Sequence, residues 1–228
     1  MGRMSVARGI LLDIEGTTTP ITFVYDILFP FVRRHVTDYV EHADLSELHR
    51  EYDEDVHQGN HPPAWSAEPV AYIHWLMDQD RKSTALKNIQ GKIWLEGYQN
   101  GELRGEVFQD VPPALERWHL NNIDIRIFSS GSVLAQRLLF SSTAAGDLTR
   151  FMKGFFDTTT GPKNEASSYM QIAQSFGLPT SAILFISDVT RELDAARSAG
   201  MQTLLCIRPG NHPQPQNNHR SITNFEKI

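Results

Sequence analysis

Asp13 and Glu15, in the stretch ILLDIEGTTTP, are two acids separated by one residue at the end of an apolar run. On an extended strand their side chains would diverge, so both face one ligand only if the chain turns at once, and Gly16 with Thr17 allows such a turn. Carboxylates so placed suit a nucleophile, a general acid and base, or ligands to a hard cation, although an arbitrary acidic pair more often caps a turn. Ser129 and Ser130, in IDIRIFSSGS, end a second apolar run ahead of a helix beginning near Val133. Hydroxyls and unpaired backbone NH groups there suit an anion, or simply a helix cap. Lys163, in FDTTTGPKNEASSY, precedes another helix and on its own would be a solvated charge. Asp188, in AILFISDVTRELDAARSAG, closes a strand read as apolar, with Glu192 and Asp194 behind it on the next helix; on its own it too would be a cap. What points to a single ligand site is concurrence. Asp13, Ser129, Lys163 and Asp188 occur in order, each at a strand end or a helix start.

The elements that position them follow from short buried runs. Gly9 to Asp13, Ile123 to Phe128, Ala182 to Ser187 and Thr203 to Ile207 read as strands, with a weaker fifth at Gly154 to Asp157. Helical stretches at Val133 to Phe140, Glu165 to Phe176 and Arg191 to Ala199 alternate with them. This predicts an α/β fold, a Rossmann-like doubly wound parallel sheet. More than a hundred positions separate the first strand from the second, far more than one crossover needs, so a domain is inserted there. The stripe Val24, Leu28, Val32, Val36 and Val40 predicts a long amphipathic helix over Thr22 to Glu41. Further helices are expected at about Pro69 to Gln79 and Thr84 to Tyr98, with a polar stretch from Gly59 to Ser66 and its HPPAW turn between. The reading is a core of residues 1–20 and 100–228 and an all-helical cap of residues 21–99, with Pro209 to Asn218 as an extended surface loop.

The chain has 228 residues, 40% hydrophobic and 21% charged, which is globular rather than disordered. A net charge of -6 argues against nucleic acid or anionic membrane as partner, and an anionic small molecule would need a local positive site. No apolar run approaches bilayer length and MGRMSVARGILLD runs straight into a strand, so neither signal peptide nor anchor is expected, and the cytoplasm is the expected compartment. Cys206 is the only cysteine, which excludes an internal disulfide and reads as a small core residue.

The ordered set resembles the four motifs of the haloacid-dehalogenase superfamily: Asp-x-Asp after the first strand, Ser or Thr after the second, Lys, and an acidic motif after the fourth. Glu15 departs from the usual second Asp. That departure, within DIEGTT, together with VYDILFP, GYQNGELRGEVFQDVPPALERW, SSGSVLAQRLLF, SDVTRELDAA and RPGN, is similar to the enolase-phosphatase family of methionine salvage. The resemblance runs from Ile10 to Asn211. It implies a Mg2+-dependent phosphoric monoester hydrolase with an aspartyl-phosphate on Asp13. Glu15 would be the acid and base, and Ser129, Ser130 and Lys163 would bind the phosphoryl group. One Mg2+ would be held by Asp13, Asp188 and the backbone carbonyl of Glu15. The resemblance further implies enolisation and dephosphorylation of 2,3-diketo-5-methylthiopentyl-1-phosphate to an acireductone, by a cytoplasmic monomer. The residues single out no base for the enolisation.

Phe23, Tyr25 and Trp94 are candidates to meet the methylthio end of such a substrate, with packing their more ordinary use. His57 and His61 have metal-ligand spacing, but Gly59, Asn60 and Pro62 interrupt the helix that it needs. Glu51, Asp53, Glu54 and Asp55 read as a solvated face. Alternatives are a phosphatase or phosphomutase for another small ester and, in a different class, a phospho-ligand binding module. A dehalogenase has no need of Glu15.

Overall fold

A computed structural model describes residues 7–65 and 69–228. The first residues of the N-terminal segment, 1–6, and Ser66 at the end of the polar stretch lie outside the described residues. The chain divides into two units, one comprising the chain up to Val24 together with Arg104–Ile228, the other Tyr25–Leu103.

The first unit is built on six parallel strands: β1 (Gly9–Leu12), β2 (Asp124–Phe128), β3 (Gly154–Phe156), β4 (Ile183–Ser187), β5 (Gln202–Cys206) and β6 (Ser221–Ile222). Their order across the sheet is β3-β2-β1-β4-β5-β6. β1 is central, with Leu12 paired to Ile127 of β2 and Ile186 of β4. The chain runs outward from β1 in one direction through β2 and β3 and in the other through β4 and β5. That reversal at the carboxyl ends of the strands is where open α/β sheets take up ligands. The helices of this unit, numbered after the four of the second, are α5 (Val111–Leu120), α6 (Val133–Ser141), α7 (Ala166–Phe176) and α8 (Thr190–Ser198). Leu11, Phe128, Phe185 and Leu205 pack with Tyr169, Ile172 and Phe176 of α7 and Leu193 and Ala196 of α8 in one buried cluster. Each leucine, isoleucine and phenylalanine among them contributes about 1.5–3 kcal/mol by leaving water. Ile10 and Leu12, on the opposite face by strand alternation, are also buried, which explains the unbroken apolar runs.

Two elements carry no strong sequence signal. α5 begins with VPP, which resembles a turn, but proline in the first helical turn sacrifices only an NH that has no helical partner. β6 is two residues long and lies within the C-terminal segment. The cysteine behaves as read: Cys206 is buried, and burial pushes its thiol up to about 12.

The second unit is helical: α1 (Phe29–Val40), α2 (Ser46–His57), α3 (Pro69–Asp78) and α4 (Thr84–Gln99). The stretch expected as one helix from Thr22 is in two parts, a π-helical segment Phe23–Leu28 followed by α1. Pro30 stands at the junction; it has no NH to continue a regular ladder. Gly97 lets α4 approach α1, since a methyl group there would lie 2.5 Å from the Phe31 ring. Trp94 is buried and its indole NH donates to the Leu28 carbonyl at 2.9 Å. The acids of α2 are not uniformly solvated. Asp53 and Glu54 are exposed, but Asp55 is buried and Glu51 accepts from the Ala85 amide at 3.0 Å and from the Ser83 hydroxyl, fixing the start of α4. α2 stops at His57, and Gly59 and His61 both have positive φ, so the two histidines do not share a helix.

Candidate active site

Asp13 is the first residue past β1, and its amide donates to the Ile186 carbonyl at 3.0 Å, so the strand ladder ends where this carboxylate begins. The chain then doubles back. The amides of Thr17, Thr18 and Thr19 all point at the Ile14 carbonyl, at 3.1, 2.9 and 3.0 Å, and the Gly16 amide donates to the Thr19 carbonyl at 2.8 Å. Gly16 has φ +70, and a methyl group on it would lie 2.4 Å from Asp188 Oδ2, so both conformation and space call for glycine. This turn brings Glu15 round to Ser129. The Ser129 hydroxyl lies 3.4 and 3.3 Å from the two Glu15 carboxylate oxygens and accepts from the Gly131 amide at 3.1 Å. Ser132 caps α6 by accepting from the Ala135 amide at 3.3 Å, and Ser130 is exposed at the rim.

Lys163 reaches the same edge from the loop before α7. Tyr169 donates to the Lys163 carbonyl at 2.7 Å and Ser168 to the Pro162 carbonyl at 2.7 Å, while Gly161, at φ +141, passes so close that a methyl group would meet Ser168 Oγ at 2.3 Å. The ammonium group so held is buried, 2.6 Å from Asp13 Oδ1 and 2.7 Å from Glu192 Oε2. Burial works against its charge, but Asp13 and Glu192 outweigh burial and keep it charged well above the usual lysine range. Ser187 Oγ lies 3.1 Å from Asp13 Oδ2 and 3.0 Å from Glu192 Oε2, donating to one at a time, and accepts from the Val189 amide at 3.1 Å. Ser187 and Glu192 are the residues that sequence reasoning left without a role. The available signal was position: Glu192 stands in the first turn of α8 just behind Asp188, whereas Asp194 points elsewhere and binds the His219 ring at 2.9 Å.

Negative charge is crowded here. Asp188 is buried and its carboxyl is pushed up to about 8, by burial first and then by Asp13 and Glu192. Glu192 is pushed up to about 7 by burial and by Asp13, and Glu15 is raised for the same two reasons in the same order. Asp188 Oδ1 is a buried oxygen without a hydrogen-bond donor among the described residues. A buried carboxylate oxygen in that state is satisfied by a cation. Among the described residues no group of three or more His, Cys, Asp or Glu side chains forms a ready-made metal cage. The donor set at this edge, carboxylates and a turn carbonyl, instead fits a hard divalent ion that also uses water and substrate oxygens. The edge thus joins a carboxylate paired with a buried ammonium, the Ser129 hydroxyl and a place for a cation, groups that suit phosphoryl transfer.

Such an edge on a parallel sheet defines a class. The family model for haloacid dehalogenase-like hydrolases matches residues 7–200. The chain is 47% identical to enolase-phosphatase E1 of Synechococcus elongatus, covering 96% of both chains, and 45% identical to enolase-phosphatase E1 of Cronobacter sakazakii, covering 97% of this chain and 96% of that one. Its structure is similar to that of the UTR4 protein of Saccharomyces cerevisiae, with a TM-score of 0.80 at 34% identity over 97% of this chain and 100% of that one. The chain belongs to the haloacid dehalogenase-like hydrolases and, within them, to the enolase-phosphatase E1 family.

Proposed function

We propose that the chain is a Mg2+-dependent acireductone synthase. It converts 2,3-diketo-5-methylthiopentyl-1-phosphate to 1,2-dihydroxy-3-keto-5-methylthiopentene and phosphate in methionine salvage. The observation that carries the reading is the buried contact of Asp13 with Lys163 beside the donor-less oxygen of Asp188, in a chain of this family. Asp13 attacks the phosphorus in line, the ester oxygen leaves, and an aspartyl-phosphate forms on Asp13. Glu15 gives the leaving oxygen its proton and later takes one from the water that releases phosphate. Lys163 offsets the charge of Asp13 and the phosphoryl group, while Ser129, Ser130 and the NH groups near Ser130 orient the phosphoryl oxygens. Asp13, Asp188 and the backbone carbonyl of Glu15 would hold one Mg2+, which supplies charge neutralisation to the phosphoryl oxygens. Residues 21–99 act as a cap that selects the substrate, and the protein is a monomer of the cytoplasm.

The test is phosphate release from the diketo phosphate with the enol and acireductone followed by absorbance, with and without Mg2+, for the wild type and Asp13→Asn. Metal-dependent release through an enol, lost in Asp13→Asn, is the expected result. Release without an enol signal removes the enolase half, and no release overturns the assignment.

A further inference from the structure

Asn211 lies on the loop after β5, in the C-terminal half of the same unit, and the chemistry of its neighbours fixes which way its amide points. Its Nδ2 is 2.9 Å from the carbonyl oxygen of Gly16 and 3.2 Å from that of Cys206. Carbonyl oxygens only accept, so the donating nitrogen faces them and Oδ1 faces the other way. That oxygen is buried and has no hydrogen-bond donor. Leaving such an atom unsatisfied is costly, and Asn211 shares the condition with its neighbour Asp188, whose Oδ1 is also buried and donor-less. The two side chains converge on Gly16. A methyl group there would lie 2.4 Å from Asp188 Oδ2 and 2.9 Å from Asn211 Oδ1. Glycine at this position lets the Asp188 carboxylate and the Asn211 amide oxygen both come up against the turn.

We propose that Asn211 Oδ1 belongs to the divalent-cation site, as the neutral oxygen of the ion's shell, reached directly or through one bound water. The proposal rests on the reading of this edge as cation-dependent. A hydrated cation held by the Asp188 carboxylate would be met by the lone pairs of the Asn211 amide oxygen, which lies beside the same carboxylate at Gly16. The choice of amide over carboxylate follows from the surroundings. Asp13, Asp188 and Glu192 already crowd this edge with buried or half-buried carboxylates, and another would add to their mutual repulsion, whereas an amide adds lone pairs without charge. The same amide holds the Gly16 carbonyl, so cation binding and the shape of the turn after Asp13 depend on one side chain.

The experiment uses the full chain and Mn2+ as probe, with free ion counted by electron paramagnetic resonance, for the wild type, Asn211→Ala and Asn211→Asp. Asn211→Ala is expected to bind Mn2+ about 10–100-fold more weakly. Asn211→Asp loses the bonds to Gly16 and Cys206 but keeps an oxygen, and is expected to recover most of that affinity; a residue that only braced the loop would leave both variants equally weak. In the 15N-labelled wild type, the Asn211 side-chain amide signals should shift on Mg2+ titration. This readout does not depend on either variant folding. Wild type that binds Mn2+ while its Asn211 amide stays unmoved, or Asn211→Ala that binds within twofold of it, overturns this inference and leaves the cation site standing. Wild type that binds no ion overturns the cation reading itself.

Discussion

Asp55 in the helical unit and Asp188 in the sheet unit are buried alike, 4% and 5% exposed, yet they keep opposite company. Asp55 is surrounded by donors. Tyr72 gives its hydroxyl at 2.7 Å, Asn60 its amide at 2.8 Å, and Arg81 pairs with the same carboxylate. Burial and then Asp55 raise the Tyr72 hydroxyl far above its ordinary range, so it stays a donor. Asp188 has like charges for neighbours and an oxygen that no donor satisfies among the described residues. A buried carboxylate whose partners are all internal serves the fold; one left open at a sheet edge is kept for something that arrives from outside.

The comparison breaks if the two residues respond alike to substitution. Asp188→Asn should lower Mg2+-dependent phosphate release by about 10^3-fold, the scale of losing one strong electrostatic element. In the absence of metal the same variant should melt a few degrees higher, because burial and Asp13 disfavour the ionised carboxyl on folding and an amide escapes that cost. Calorimetry beside the phosphate assay reads both, and a variant both inactive and less stable would remove Asp188 from the class of open sites. Asp55→Ala should do the reverse: a loss of about 3 kcal/mol by urea unfolding, since it strands Tyr72 and Asn60. Its phosphate release per folded molecule should stay within about twofold. Glu192→Gln sharpens the contrast, since it removes one of the two anions on Lys163; about a tenfold fall in kcat/KM is expected for a group that acts on its neighbours.

The smallest effect belongs to a third aspartate, closed like Asp55 but in the sheet unit. Asp110 receives Arg208 at 2.8 and 2.9 Å and the Phe225 amide at 2.7 Å. Burial opposes its charge, but these donors hold its carboxyl below the ordinary value of 3.8. Its folded value is depressed, so its contribution is present above the unfolded value near about 4 and is lost as pH falls through the folded one. Asp110→Asn should therefore cost about 1 kcal/mol at neutral pH and flatten the acid limb of stability, measured by denaturant midpoints from pH 6 down to pH 2.

The difference between the two regions also decides what the sequence disclosed. The central strands β1 and β4 are buried on both faces and stand out as short apolar runs, and Asp13, Ser129, Lys163 and Asp188 follow in order at strand ends or ahead of a helix. Asp55 and Glu51 were read as a wet face because their donors, Tyr72, Arg81 and Ser83, belong to other elements and no local pattern links them. Ser187 and Glu192 were hidden for the same reason: a serine closing an apolar strand and an acid in a first helical turn are ordinary, and only the fold brings Asp13 and Lys163 to them. α2 has few apolar residues to mark its period, and the prolines of α5 imitate a turn. Types at element ends were legible, whereas partners across the chain were not.

The turn after Asp13 is held from far away. Asn211 is 195 positions from the carbonyl it grips, Arg208 is 191 from Thr17, whose carbonyl it holds at 3.2 Å, and Ser187 and Lys163 are 174 and 150 from Asp13. Contacts of such long range close large loops and form late in folding. A refolding chain therefore acquires its secondary structure before its chemistry, and a nascent chain carries its nucleophile from the start of synthesis without the means to use it until the last fifth of the sequence has been made.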